Sequence, residues 1–319
     1  MTGSAVQPRT GVCVMKDQVY SEVGDVPRLA DVYMPDEAGP HPAIIYLHGG
    51  GWRFGDRSLG PDLSRFFAER GFVMVSIDYR LSDEALFPAA VEDTKTAIRW
   101  LRVHAKEYNV DPERIGLWGS SSGGHLAALV GLAPEEAFVS QEWPDMNCSV
   151  QAVATGYAPI NFLLIDAHIN PDAVAGTDPE SVKIPNPKPS ADAHSLESLF
   201  LGAPIGEVPQ LVELANPAAY AAGVRCPFLI MHGTFDELIP VHQSELLFDA
   251  ISAAGGMCTF MTIEGLGHGF LNRTNLDENG PRPATVRRTG ATPQIETAMI
   301  FDATYTFFAS NLAEQEIKH

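Results

Sequence analysis

Two kinds of apolar pattern divide the chain into strands and helices. Short apolar runs with little polar alternation stand at residues 43–47, 72–77, 114–118, 150–155, 227–232 and 258–263. Runs of this length, bounded by glycine, proline or charge, are predicted as strands buried on both faces. Residues 12–20 and 28–33 instead alternate apolar with polar positions around Gly24-Asp25. That pattern predicts an antiparallel pair at one edge of a sheet. Helical spacing is clearest over 89–108, where Val91, Thr94, Ile98 and Leu101 share a face. Further helices are predicted at 59–70 ended by Gly71, from Gly124 onward, at 241–254 and at 296–312. Residues 1–11 read as a loose start, and Pro40 and Pro42 bracket a loop.

Strands that alternate with helices imply an α/β architecture, a mostly parallel sheet with helices on both faces. In such sheets ligands bind at the carboxyl ends of the strands. Between residues 160 and 218 the periodicity fails and eight prolines occur. A long irregular stretch inside a compact domain is read as a lid or binding loop. The expectation is therefore one domain over residues 1–319, with a cap-like insertion at about 160–218. Residues 271–294 read as a second irregular stretch.

Candidate chemistry lies where predicted strands end. Gly119-Ser120-Ser121-Ser122-Gly123 follows one strand and opens a helix. Strand, G-x-S-x-G, helix is the context of a nucleophile elbow, which lifts the Ser121 hydroxyl above the sheet edge. No lysine follows the glycines, so a phosphate-binding P-loop is disfavoured. His48-Gly49-Gly50-Gly51-Trp52 follows another strand, and its glycines leave backbone N–H groups free to hold an oxyanion. His48 itself is read as structural.

A serine hydroxyl needs a base to take its proton. Of the histidines beyond Asp236, His242 falls in a predicted helix and His319 is the last residue, whereas His268 lies in a glycine-rich loop after a strand. A carboxylate must orient that base. Asp236 directly follows its strand, with Glu237 and Glu264 as alternatives. The order Ser121, Asp236, His268 is nucleophile, acid, base. Asp78 and Arg80 are expected to brace neighbouring loops as an ion pair.

Composition narrows the partners. Hydrophobic residues make up 45% of the 319, enough for a large core, and the net charge is −19. That charge disfavours nucleic acid and anionic membranes. No apolar run approaches the length of a membrane span, and no basic segment followed by an apolar one opens the chain. Cys13, Cys148, Cys226 and Cys258 fit neither a metal site nor a disulfide framework. Together these features give the expectation of a cytoplasmic protein with reduced thiols; a homo-oligomer is compatible with them.

With these residues in view, the sequence resembles the α/β-hydrolase carboxylesterases. Within them it is most similar to the bacterial group related to hormone-sensitive lipase, and to its feruloyl-esterase-like branch. The likeness rests on residues 48–52, 119–125, 232–236 and 267–269, with support from Asp78-Tyr79-Arg80-Leu81, Phe87-Pro88 and residues 240–246. It covers about residues 28–270. Ser120 and Ser122 depart from the Asp and Ala that many relatives carry. The resemblance implies a serine esterase that needs no metal or organic cofactor and acts on a small-molecule ester. Ser121, Asp236 and His268 would be the triad, and the backbone N–H groups of Gly50, Gly51 and Ser122 the oxyanion hole. Trp52, Tyr157, Phe162, Leu163 and Phe200 are the expected substrate-pocket residues, which would set acyl size to short or aromatic acids. Two other classes compete: a peptidase or amidase on the same fold, and a non-catalytic module derived from a hydrolase.

Overall fold

In the computed structural model, residues 11–23, 26–140, 142–169 and 188–313 are described. Most of the loose start, the Gly24-Asp25 turn, residues 170–187 of the insertion and His319 lie outside these residues. Ten strands form one sheet: β1 (Val12–Ser21), β2 (Arg28–Pro35), β3 (His41–Leu47), β4 (Val73–Ile77), β5 (Val110–Ser120), β6 (Ala152–Gly156), β7 (Phe228–Gly233), β8 (Cys258–Ile263), β9 (Arg282–Arg288) and β10 (Gln294–Ala298), in the order β1-β2-β4-β3-β5-β6-β7-β8-β9-β10. The six central strands, β4 to β8 in that order, pair in parallel. An antiparallel pair flanks them at each edge.

The pattern within one strand explains the layers. In β3, Ala43, Ile45 and Leu47 belong to one core and Ile44 and Tyr46 to another. Successive side chains of a strand leave on opposite faces, so an unbroken apolar run requires helices on both. Helices α2 (Ala89–Val103), α3 (Ser122–Leu132) and α6 (Val241–Ala253) contribute to the first core. Helices α1 (Leu63–Phe66) and α7 (Ile300–Asn311) contribute to the second. Two further short helices, α4 (Leu196–Leu201) and α5 (Pro209–Leu214), lie within the insertion.

Three sequence expectations are corrected. The stretch read as irregular contains β9, which pairs with β8 and β10. Only Ala284 and Val286 of β9 are buried, so the alternation is too sparse to register among arginines. The terminal helix begins at Ile300 rather than 296, and Glu296 pairs with Arg288 across the two edge strands. Its start has no local cap, because the Asp277 carboxylate accepts from Ile300 N and Phe301 N at 2.7 and 2.8 Å. Asp78 and Arg80 do not pair with each other. Asp78 accepts from Arg57 Nη1 at 2.5 Å, and Arg80 Nε donates to Asp93 at 2.9 Å. Each finds a partner packed over it from another segment, the loop after β3 and the N-terminal half of α2.

Candidate active site

The elbow between β5 and α3 is forced by close approach. A Cβ on Gly119 would stand 2.2 Å from Gly123 O, and one on Gly123 would stand 2.1 Å from Leu47 O. Only glycine fits either position. Ser121 between them has φ 52° and ψ −123°, a conformation that costs energy for a side-chain-bearing residue. It is held there by hydrogen bonds from Ser121 N to Gly156 O at 2.8 Å and from His125 N to Ser121 O at 3.0 Å.

β7 and β8 deliver Asp236 and His268 to the same edge. His268 Nδ1 is 2.8 Å from Asp236 Oδ2, and His268 Nε2 is 2.9 Å from Ser121 Oγ. An ionised carboxylate only accepts, so Nδ1 carries the proton of the neutral ring. Nε2 is then an acceptor for the Ser121 hydroxyl. Asp236 Oδ1 accepts from Leu238 N at 3.0 Å and Ile239 N at 2.8 Å. Burial alone would raise the Asp236 pKa. The charge of His268 and hydrogen bonds from His232 and His268 outweigh that, holding the carboxyl well below the usual carboxylate range. The other candidate acids and bases are placed elsewhere. Glu237 accepts from the His268 backbone N–H at 3.3 Å, Glu264 is exposed, and His242 stacks on His168 at 3.9 Å.

The loop after β3 approaches Ser121 from the other side. Gly50 and Gly51 have φ of 122° and 61°. Gly50 O accepts from Arg53 N and Phe54 N at 3.1 and 3.0 Å, which curls the loop back on itself. His48 is buried beneath it. Its Nδ1–H donates to Gly49 O at 2.6 Å, its ring stacks on Tyr79 at 4.4 Å, and burial lowers its pKa. The Ser122 N–H is the first of α3, where helix N–H groups lack intrahelical partners.

These groups face a cavity of about 440 Å³, lined among others by Gly51, Trp52, Ser121, Ser122, Leu196, Leu199 and His268. Of Trp52, Tyr157, Phe162, Leu163 and Phe200, Trp52 lies on its surface, as do Leu196 and Leu199 of the apolar insertion. Phe200 stacks on Trp52 at 4.5 Å, Phe162 packs on it at 5.3 Å, and both are almost fully buried behind it. Tyr157 packs its edge on the His268 ring at 4.7 Å and is also buried. Leu163 is 48% exposed on the outer side. The rest of the apolar wall is Ile165, Ile169, Leu196, Leu199, Leu238 and Ile239. Within α4, Leu196 and Leu199 line the cavity while Phe200 packs on Trp52.

Two polar residues near the centre were assigned no function from the sequence. Glu197 lines the cavity and is nine-tenths buried. Burial pushes its carboxyl up to about 7; hydrogen bonds to its own backbone N–H and to the Ser195 and Ser190 hydroxyls oppose the rise, and the charge of Asp166 adds to it. Its signal was a single acid within an otherwise apolar helical turn. His232, at the end of β7, stands behind Asp236. Its signal was its place four residues ahead of the acid. Among the described residues no group of three or more His, Cys, Asp or Glu could hold a metal ion. No helix among them is long and apolar enough to cross a membrane.

The sheet order, with the elbow after β5 and an acid and a histidine after β7 and β8, defines an α/β-hydrolase fold. Known proteins agree. The chain belongs to the BD-FAE family, whose sequence model matches residues 30–251. It is 30% identical over 255 residues to esterase LipC of Mycobacterium tuberculosis, a match covering 77% of this chain and 58% of that one. It is also 30% identical over 281 residues to the carboxylic ester hydrolase LipN of the same organism, covering 84% and 67%. The chain spans about half the length of several curated relatives it matches. Among solved structures, a propionate-bound thermophilic esterase of Thermogutta terrifontis superposes with TM-score 0.60 at 28% identity, over 80% of this chain and 84% of that one. A truncated carbohydrate esterase from gut microbiota superposes with TM-score 0.74 over 98% of this chain and 100% of that one; at 24% identity this shows the fold alone.

Proposed function

We propose that the protein is a serine carboxylesterase that hydrolyses small esters with a short acyl or aromatic acid part. The observation that carries this reading is the hydrogen-bonded chain Ser121–His268–Asp236 opening onto a cavity of about 440 Å³. A cavity of that size accepts a compact ester. The esterases among the relatives support the same reaction class.

In this reading His268 Nε2 takes the Ser121 proton as Oγ bonds to the ester carbonyl carbon. The carbonyl oxygen gains the charge and is held by the backbone N–H groups of Gly50, Gly51 and Ser122. The tetrahedral species collapses, the bond to the alcohol oxygen breaks, and His268 returns its proton to that oxygen. Water then attacks the acyl-enzyme by the same route and releases the acid. Asp236 stays ionised and stabilises the imidazolium.

The test is Ser121→Ala on a panel of esters and the matching amides. Loss of about six orders of magnitude in turnover is the scale for removing such a nucleophile. The fold should survive, since Ala fits the space. Activity retained in this variant would overturn the assignment, and amides turned over in preference to esters would place the protein among the amidases.

A further inference from the structure

We infer that His232 and Ser244 form a positioning pair that holds Asp236 on His268. This inference rests on the esterase reading. His232 is fully buried at the end of β7, beneath the acid. Its Nε2 lies 2.8 Å from Ile239 O and 3.2 Å from Asp236 Oδ2. Both partners are acceptors, so Nε2 must carry a proton and share it between them. In the neutral ring Nδ1 is then an acceptor, and Ser244 Oγ stands 2.7 Å from it, able to donate. Ser244 is itself buried in α6. The two acceptors at Nε2 fix the tautomer, and the Ser244 hydroxyl holds the ring in place by donating to the remaining Nδ1 lone pair.

The consequence is a carboxylate with no freedom to turn. Oδ1 takes two backbone N–H groups, and Oδ2 takes one from His268 and one from His232. Of the two donors on Oδ2, His232 is the one that takes no part in the proton transfer. Ile239 ties the same ring to the loop that supplies the Oδ1 donors. His232 thus ties Oδ2 to β7 and, through Ser244, to α6.

Removing the His232 donor has two separable effects. Asp236 loses an anchor, so His268 is less often aligned on Ser121. Asp236 also becomes more basic, because a hydrogen bond to its charged form is gone. A more basic acid favours protonated His268, so the acid limb of the rate profile moves to higher pH. Among the described residues, the other ionisable groups around the His268 ring are Tyr157 and Glu237, and across the cavity Arg53, Asp166, Lys188, His194 and Glu197. None of them is altered by the variants below.

The experiment compares His232→Phe, His232→Gln and Ser244→Ala with the wild-type chain, using steady-state hydrolysis of a short-chain aryl ester from about pH 5 to 9. Phe fills the ring space without a donor and should lower kcat about tenfold or more, well short of the roughly 10⁴-fold lost when a triad carboxylate is neutralised. KM should stay near the wild-type value, and the acid limb should rise by about half a unit. Gln restores a donor near Nε2 and should recover much of both. Ser244→Ala keeps the ring, leaves Nδ1 without its donor, and should show smaller changes in the same direction. It also serves where His232→Phe does not fold. A folded Phe or Ala variant with kcat and acid limb unchanged overturns the positioning role. An inactive wild-type chain, or an active Ser121→Ala chain, overturns the esterase reading instead.

Discussion

Single residues decide whether the chemistry runs. Replacing Asp236 with Asn keeps shape and removes the charge that stabilises the imidazolium, and it favours the wrong tautomer of His268. Turnover should fall by about four orders of magnitude; if Glu237→Gln proved the more damaging, the acid would be Glu237. The rate should also fall on the acid side as His268 takes up a proton, since a base cannot accept one it already holds. A flat profile between about pH 5 and 8, the range that brackets ordinary histidine, would remove histidine from the mechanism. Glu197 gives a different pH signature, in stability. Its carboxyl titrates near 7 in the folded chain against an ordinary 4.5. Between those values the folded state keeps a proton the unfolded state has lost, so stability falls as pH rises through the window and levels off above it. Gln does not titrate, so Glu197→Gln should gain on wild type by up to about 3 kcal/mol from pH 5 to 8. Urea unfolding at the two pH values measures the gain, and a constant difference would show that Glu197 does not titrate there.

At the scale of elements, α4 separates packing from recognition within two turns. Ser195 caps it, accepting from Ser198 N at 3.0 Å, and Gly202 ends it in the left-handed conformation. Leu196 lies against Gly51 of the oxyanion loop, where an added Cβ would meet its Cδ1 at 2.3 Å. The apolar residues of this insertion were visible in the sequence, but their direction was not. At six residues α4 is shorter than two turns, too short for a period to assign its faces. The structure puts Phe200 behind Trp52 and Leu199 on the cavity. Phe200→Ala should therefore cost about 3–5 kcal/mol of stability, as for a large aromatic cut from a core. Leu163→Ala should change stability by no more than about 0.5 kcal/mol, as at an ordinary surface position. Leu199→Ala should leave the fold in place and shift preference toward a longer acyl chain. Melting curves and an acyl-length series check the three together; an unchanged acyl preference in the Leu199 variant would show that α4 only packs.

For the whole molecule, the sheet was legible because its central strands are buried on both faces and announce themselves as apolar runs. Ser121, Asp236 and His268 were legible for a related reason: each follows such a run directly. The antiparallel edge at β9 and β10 was not, since an edge strand with one solvent face needs few apolar residues. His232 and Asp277 were missed because their work is done through partners distant in the chain or hidden behind the acid. Net charge acts at this same scale. A formal −19 repels itself across the folded surface. Raising salt from 0.01 to 1 M shortens the screening length from about 30 Å to about 3 Å, which removes that long-range repulsion. Ion pairs oppose the trend, chiefly Arg57 with Asp31 and Asp78 at 3.0 and 2.5 Å. Asp31 is only 4% exposed, so this cluster is screened far less than the open surface. The repulsion should dominate, and the melting temperature should rise with sodium chloride by about 2 °C for each kcal/mol of repulsion relieved. The measurement is thermal unfolding across that salt range at fixed pH. A melting temperature that falls with salt would show that ion pairs, and not net repulsion, govern the electrostatics of this fold.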